Sequence, residues 1–182
     1  MFFVLFIILL VLIWGVITYN SFVSLNNRAK NAWADIEVQL KRRHDLIPNL
    51  VSTVKGYAGH EKTVFENVTR ARAEATKGTT PRERAEGENM LTRAIRQLFA
   101  VAENYPELKA NENFLSLQSS LNAIESAIQN ARRYYNAVVR DFNIKLESFP
   151  SRIIGKLFGF KEIDFFELEE EGEGEVPKVD FS

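Results

Sequence analysis

Residues 111–149 read NENFLSLQSSLNAIESAIQNARRYYNAVVRDFNIKLESF. Phe114, Leu117, Leu121, Ile124, Ile128, Ala131, Tyr135, Val138 and Phe142 recur at alternating spacings of three and four, the apolar stripe of an amphipathic helix. Phe149-Pro150 closes the stretch, because the residue before a proline is pushed out of helical backbone geometry. A helix of this length buries its stripe only against other helices, so the neighbouring segments decide the architecture.

Toward the N-terminus the same periodicity continues. Met90, Leu91, Ala94, Ile95, Leu98, Val101 and Ala102 mark a preceding helix that ends near Asn104-Tyr105-Pro106. Thr80 with Glu83 makes a capping-box pattern, Pro81 suits a first helical position, and Gly78 is a stop signal for the helix before. That earlier helix is predicted over residues 46–77, with Leu50, Val51, Val54, Tyr57, Ala58, Phe65, Val68 and Ala71 on one face. Gly56 and Gly59 sit inside it, each costing about 1 kcal/mol relative to alanine, which suggests either a close helix–helix approach or a local bend. Upstream, Trp33, Ile36, Leu40 and Ile47 form another stripe. A break is expected at His44-Asp45, with Asp45 capping a new helix and Pro48 in its first turn, since an interior proline costs about 3 kcal/mol. A tight hairpin there is preferred to a kinked, continuous helix. No segment alternates with period two long enough to form a sheet.

Residues 1–17, MFFVLFIILLVLIWGVI, are unbroken apolar sequence, and the first side-chain charge after them is Arg28. The run is near the short end of the 17–25 residues or so that span a bilayer. No Lys or Arg precedes it and ITYNSFVSL lacks an A-x-A site, so a permanent anchor is preferred to a cleaved signal or a buried core helix. Arg28, Lys30, Lys41, Arg42 and Arg43 all follow the span, which by the positive-inside rule predicts an external N-terminus and a cytoplasmic domain. The expected fold is all-α: an N-terminal transmembrane helix, then an antiparallel up-and-down bundle of about four long helices. The expected divisions are a transmembrane anchor over 1–19, a helical bundle over 20–150, a C-terminal docking segment over 151–166 and an acidic disordered tail over 167–182. In the docking segment, Ile153-Ile154 and Leu157-Phe158 suit a short amphipathic helix turned by Gly159-Phe160, and Phe165-Phe166 suits extended docking.

The 182 residues leave room for one domain with a real core after the anchor. There is no cysteine, which excludes disulfides, thiolate nucleophiles and Cys-ligated zinc, and fits a reducing compartment. Residues 161–182 carry nine acids against two bases, a net of −7; the chain total of −1 therefore leaves +6 on the rest. Those bases are spread and interleaved with acids, so nucleic acid is not an expected partner. His60-Glu61 does not make a zinc-protease motif, because position 64 is Val64. The di-iron pattern Glu-x-x-His fails too, with Lys41 before His44 and Tyr57 before His60. No phosphate-cradling loop or nucleophile elbow is present. Neither a metal nor a cofactor is expected, and the histidines read as surface or interface residues.

Polar residues on or beside the apolar stripes are the remaining candidates: Asp45, Asn49, Asn104, Asn113, Arg132 and Asn136, with Gln39 and Asn143. They read first as an inter-helix network fixing register, and second as a polar groove for a peptide or small ligand. Lys41-Arg42-Arg43 reads as a solvated or headgroup-facing patch.

The run Asn31-Ala32-Trp33 through Gln39-Leu40-Lys41-Arg42-Arg43-His44-Asp45-Leu46-Ile47-Pro48-Asn49-Leu50-Val51, on to Lys55-Gly56-Tyr57-Ala58, closely resembles the LemA family. Tyr105-Pro106-Glu107-Leu108-Lys109-Ala110-Asn111 with Asn113-Phe114, Ala131-Arg132 with Tyr135-Asn136, and Phe149-Pro150 extend the resemblance over nearly all of residues 19–166. His44 departs from the Tyr that many members carry. The resemblance implies a bacterial or archaeal protein with one N-terminal span and a cytoplasmic antiparallel bundle of about four helices. It carries no enzymatic activity and no catalytic residues. A related branch of the family is associated with magnetosome formation, a role no residue here singles out. The expected function is a non-enzymatic, single-pass scaffold or adaptor at the cell membrane. It would bind the bilayer through residues 1–19 and as yet unidentified membrane-associated protein partners. The alternative is a sensor that binds a peptide or small ligand in the polar groove. The sequence sets no oligomeric state.

Overall fold

A buried residue recurs every seven positions along the first helix: Phe22, Ala29, Ile36, Arg43 and Leu50. Ala32, Leu40, Ile47 and Val54 run beside them, completing a heptad seam. In the computed structural model, which describes residues 1–168, this seam belongs to one uninterrupted helix, α1 (Phe2–Lys55). The break expected at His44-Asp45 is therefore absent. Asp45 and Pro48 lie inside the helix and both are exposed, so the proline ring sits on the face away from the seam. Burying Ile47, Leu50 and Val54 contributes about 1.5–3 kcal/mol each, which outweighs the roughly 3 kcal/mol an interior proline costs.

The chain leaves the helix at Gly56 instead. Gly56 and Gly59 lie in the link before α2 (Lys62–Ala75), not inside a helix, and their poor helical propensity ends α1 where burial of the seam runs out. The remaining elements are α3 (Pro81–Ala102), the single-turn α4 (Pro106–Lys109), α5 (Glu112–Glu147) and α6 (Ser151–Leu157). Among the described residues there is no strand, so the fold is all-α. The acidic tail expected over 167–182 lies, from residue 169 onward, outside the described residues.

Contacts divide the chain into two units. The first comprises residues 1–49 and 116–165. Within it α1 and α5 run antiparallel: Phe22 meets Phe142 edge-on at 5.8 Å, Trp33 meets Tyr135 at 5.4 Å, and Arg43 pairs with Glu125. The α5 side of the seam is itself heptad-spaced through Leu121, Ile128, Tyr135 and Phe142, all buried. Phe160, beyond α6, stacks on Phe22 at 5.0 Å and closes an aromatic cluster with Phe142 and Tyr19.

Burial along α1 changes abruptly. Residues 1–14 are all exposed, Gly15 is half-buried, residues 16 and 17 are exposed, and Thr18 and Phe22 are buried. The N-terminal stretch is long and apolar enough to cross a membrane. It continues without a linker into the helix that builds the first unit.

Among the described residues, the second unit comprises residues 50–115 and 166–168. Here α2 and α3 form a close antiparallel hairpin. Thr80 caps α3 by accepting from Glu83 N–H, and Glu83 Oε2 accepts in turn from the Thr79 and Thr80 amides and the Thr79 hydroxyl. The Thr79 amide, then its hydroxyl, then the Thr80 amide hold the Glu83 carboxyl below its usual range. The cap is therefore in place above the ordinary glutamate pKa and is lost as pH falls through the depressed one. Arg84 donates to the Ala75 carbonyl at 2.8 Å across the turn. Asn111 caps α5 through the Phe114 N–H and donates to the Tyr57 hydroxyl.

Gly87 is what brings the hairpin together, since a Cβ there would lie 2.7 Å from Ala75 Cα, a backbone atom that cannot swing aside. Gly87→Ala gains about 1 kcal/mol of helix propensity but overpacks the crossing. The expected net outcome is a loss of about 1–2 kcal/mol, read as a lower urea midpoint at unchanged slope. A raised midpoint would mean that the two helices are not in contact at this glycine.

Candidate functional site: a charged layer and an amide clamp

Arg43 occupies a core position of the α1 seam, between Ile36 and Leu50, and is 1 % exposed. Its Nη2 pairs with Glu125 Oε1 at 2.7 Å, with the Glu125 side chain 36 % exposed. A guanidinium buried in an apolar seam costs several kcal/mol unless paired and hydrogen-bonded, so the pair fixes which residues of α5 face α1. Reading Lys41-Arg42-Arg43 as one solvated patch is thus corrected: Lys41 and Arg42 are exposed, and Arg43 turns inward. His44 is buried beside it, so it is not a surface histidine.

Seven residues beyond Glu125 on the same face of α5 lies Arg132, also buried, and one turn further Asn136, half-buried. Each of Arg43, His44, Arg132 and Asn136 is engaged with a neighbouring group. Asp45 and Asn49 belong to the same unit but are exposed on α1. Asn104 and Asn113 are exposed and belong to the second unit. Of the six sequence candidates, then, Arg132 is the buried one, and four share a unit. Arg43 and Glu125 were missed as candidates. For Arg43 the signal was available, because it falls at a seam position that the heptad spacing otherwise fills with apolar residues. Glu88, fully buried on α3, was missed for the same reason.

Farther along α5 the side chains hold the segment after α6. Asn143 Nδ2 donates to the Ile163 carbonyl at 2.9 Å, and Ile163 N–H donates to Asn143 Oδ1 at 3.0 Å. One amide side chain thereby satisfies both backbone groups of a residue outside any helix, as a neighbouring strand would. Tyr135 O–H donates to the Asp164 carbonyl at 2.8 Å. Burial, reinforced by the Asp164 charge, pushes the Tyr135 hydroxyl up to about 12. Lys145 contacts Ser21 Oγ and lies 5.3 Å from the Phe22 ring centre, and desolvation holds its ammonium below the usual lysine value.

Removing one member of the charged pair strands the other. Glu125→Ala is expected to destabilise the protein by about 1–3 kcal/mol, less than for a fully buried pair because Glu125 is partly solvated. The double variant Arg43→Met/Glu125→Leu should recover most of that loss in chemical denaturation; no recovery would mean the pair does more than satisfy a buried charge. In a spectrophotometric titration one tyrosine should ionise near 12, and Tyr135→Phe should remove that step. Because the folded-state value is raised, the stability tied to this proton is complete below about 10 and is lost as pH climbs toward the folded value.

Comparison with known proteins places these features. The LemA family pattern matches residues 32–181. Magnetosome protein MamQ 2 of Paramagnetospirillum magneticum is 26 % identical over 187 aligned positions, which cover 88 % of this chain and 68 % of the relative. Magnetosome protein MamQ of Magnetospirillum gryphiswaldense is 24 % identical with the same coverage. Protein LemA of Metamycoplasma hominis is 24 % identical over 155 positions, covering 83 % of this chain and 69 % of the relative. The family match spans most of the chain, including the α1 seam from Ala32, the α2–α3 hairpin and all of α5: the chain belongs to the LemA family.

Proposed function

We propose that this chain is a single-pass, non-enzymatic protein of the cell membrane, with its N-terminus outside and its helical units in the cytoplasm. There it recruits or organises membrane-associated protein partners. One observation carries the reading: the bare apolar stretch of α1 and the buried seam of the first unit are the same helix, with the change from exposed to buried at Gly15 to Thr18. An anchor fused to a packed unit in this way confines it to the membrane plane and raises its effective concentration toward other membrane-bound proteins. The orientation rests on Arg28, Lys30, Lys41 and Arg42, which follow the span. The remaining features are a buried charged layer, a clamp and exposed helix faces, which suit holding better than turnover.

The natural absence of cysteine makes topology directly testable. A cysteine at Ser120, exposed on α5, should react with a membrane-impermeant maleimide after cells are opened, not before. Labelling in intact cells would overturn the orientation, and release of the full chain by alkaline extraction would overturn the anchor. Photo-crosslinkers on exposed positions of α5 should yield discrete protein adducts in native membranes. A scan with no adduct would count against scaffolding. The buried Arg132 favours a second reading, a sensor: a ligand whose thermal stabilisation disappears in Arg132→Ala would support that instead.

A further inference from the structure

Gly155, buried in the middle of α6, fixes how that helix faces its unit. A Cβ there would lie 2.5 Å from Leu146 Cδ1 and 3.5 Å from Phe22 Cζ, so glycine lets α6 press against α1 and α5. Ile153 and Leu157, two residues to either side of Gly155, are about 200° around the helix from it and face outward. Phe149, just before the helix, and Phe158, just after it and partly packed on Tyr19, add exposed apolar surface at its two ends. All four are exposed, Phe149 at 84 % and Leu157 at 73 %. This is an apolar face on the outside of a folded unit. Beside it, Arg152 and Lys156 lie one turn apart and exposed, and Lys161 follows. These three cations border an open cleft that also has Glu147 and Glu162 on its rim.

The height of α6 along α1 says what covers that face. Ile154 Cδ1 lies 3.8 Å from where a Cβ on Gly15 would be, and the Phe158 ring is 4.6 Å from the Tyr19 ring. Thus α6 touches α1 at the level where the bare apolar stretch ends and burial begins. The exposed face of α6 therefore stands at the height where the exposed apolar surface of residues 1–17 ends. Cations beside an apolar stripe at that level match the chemistry of a leaflet boundary, where acyl chains give way to phosphates.

We propose that α6 and its flanks form a second membrane contact: Phe149, Ile153, Leu157 and Phe158 seat in the acyl–headgroup boundary of the leaflet from which α1 emerges, and Arg152, Lys156 and Lys161 engage the phosphates of anionic lipids. This rests on the reading of residues 1–17 as membrane-inserted. The chain then holds the bilayer at two points, through a span and through a short helix packed against its root. Seating favoured by the three cations should weaken by about fivefold for each one removed.

The test uses the full chain reconstituted in phosphatidylglycerol-containing or pure phosphatidylcholine vesicles, with single spin labels at Leu9→Cys, Ile153→Cys or Tyr134→Cys. Tyr134 is exposed on α5 and serves as the aqueous control. In the anionic vesicles the label at 153 should be shielded from a water-soluble relaxant and open to oxygen, at a shallower depth than the label at 9. The label at 134 should stay aqueous. A label at 153 as wet as that at 134, with position 9 in lipid, overturns this inference and leaves the anchor standing. A wet label at 9 overturns both. Spin–spin broadening at 153 that grows with protein per lipid would put a second copy on the face and also overturns it. Arg152→Gln/Lys156→Gln/Lys161→Gln should make the 153 label behave in anionic vesicles as the unsubstituted chain does in phosphatidylcholine. Seating that ignores both the charges and the lipid would overturn the phosphate contact.

Discussion

The antiparallel seam between α1 and α5 in the first unit is the constraint on which the rest depends. It is built from two heptad-spaced rows, and it carries one fully buried cation at a position that apolar residues otherwise fill. Hydrophobic rows alone tolerate slippage by one repeat, since every seventh residue looks alike to the partner. The Arg43–Glu125 pair breaks that degeneracy, because any other register leaves a guanidinium without its carboxylate. From this register follow the level of the Phe22–Phe142–Phe160 cluster, the position of α6 and the reach of Asn143 and Tyr135 to the segment beyond it.

Polar side chains in this protein act mainly as substitutes for backbone. Asn143 stands in for a strand, Asn111 and Thr80 for the missing turn before a helix, and Glu83 for two acceptors at once. Each satisfies groups that a helix-only fold leaves open at its ends and links. The segment after α6 needs such support most, because among the described residues it belongs to no helix or strand.

Much of this was legible in the residues. The three-and-four spacing of α5, the Thr80–Glu83 box, the Phe149-Pro150 stop and the apolar leader are local signals, and local physics decides them. Pro48 was misread because its penalty is local while the compensation is not: the seam residues on both sides of it are held by partners distant in sequence. The glycines at 56 and 59 allow either a close approach or a local bend on sequence grounds; they lie in the link after α1, whereas a close approach is made by Gly87, an inconspicuous residue between two glutamates. Arg43 was hidden by its neighbours, since three consecutive cations look like a surface until the seven-residue period is laid over them. Of the polar candidates, Arg132 proved buried and Asn136 half-buried, and the exposed ones carry no sequence mark that separates them from the rest.

The lack of any joint between the leader and the packed helix has a mechanical side. Residues 1–17 in helical form measure about 26 Å, somewhat less than the roughly 30 Å of hydrocarbon in a typical bilayer. On the proposed anchoring, a stretch of that length would have little surplus to take up by leaning, and the uninterrupted helix puts no flexible spacer between it and the unit. Thickening of the bilayer would then be met by drawing the root of the unit downward or by pinching the lipid around it. On the proposed anchoring of residues 1–17, pointer and shaft of such a thickness gauge would be one piece.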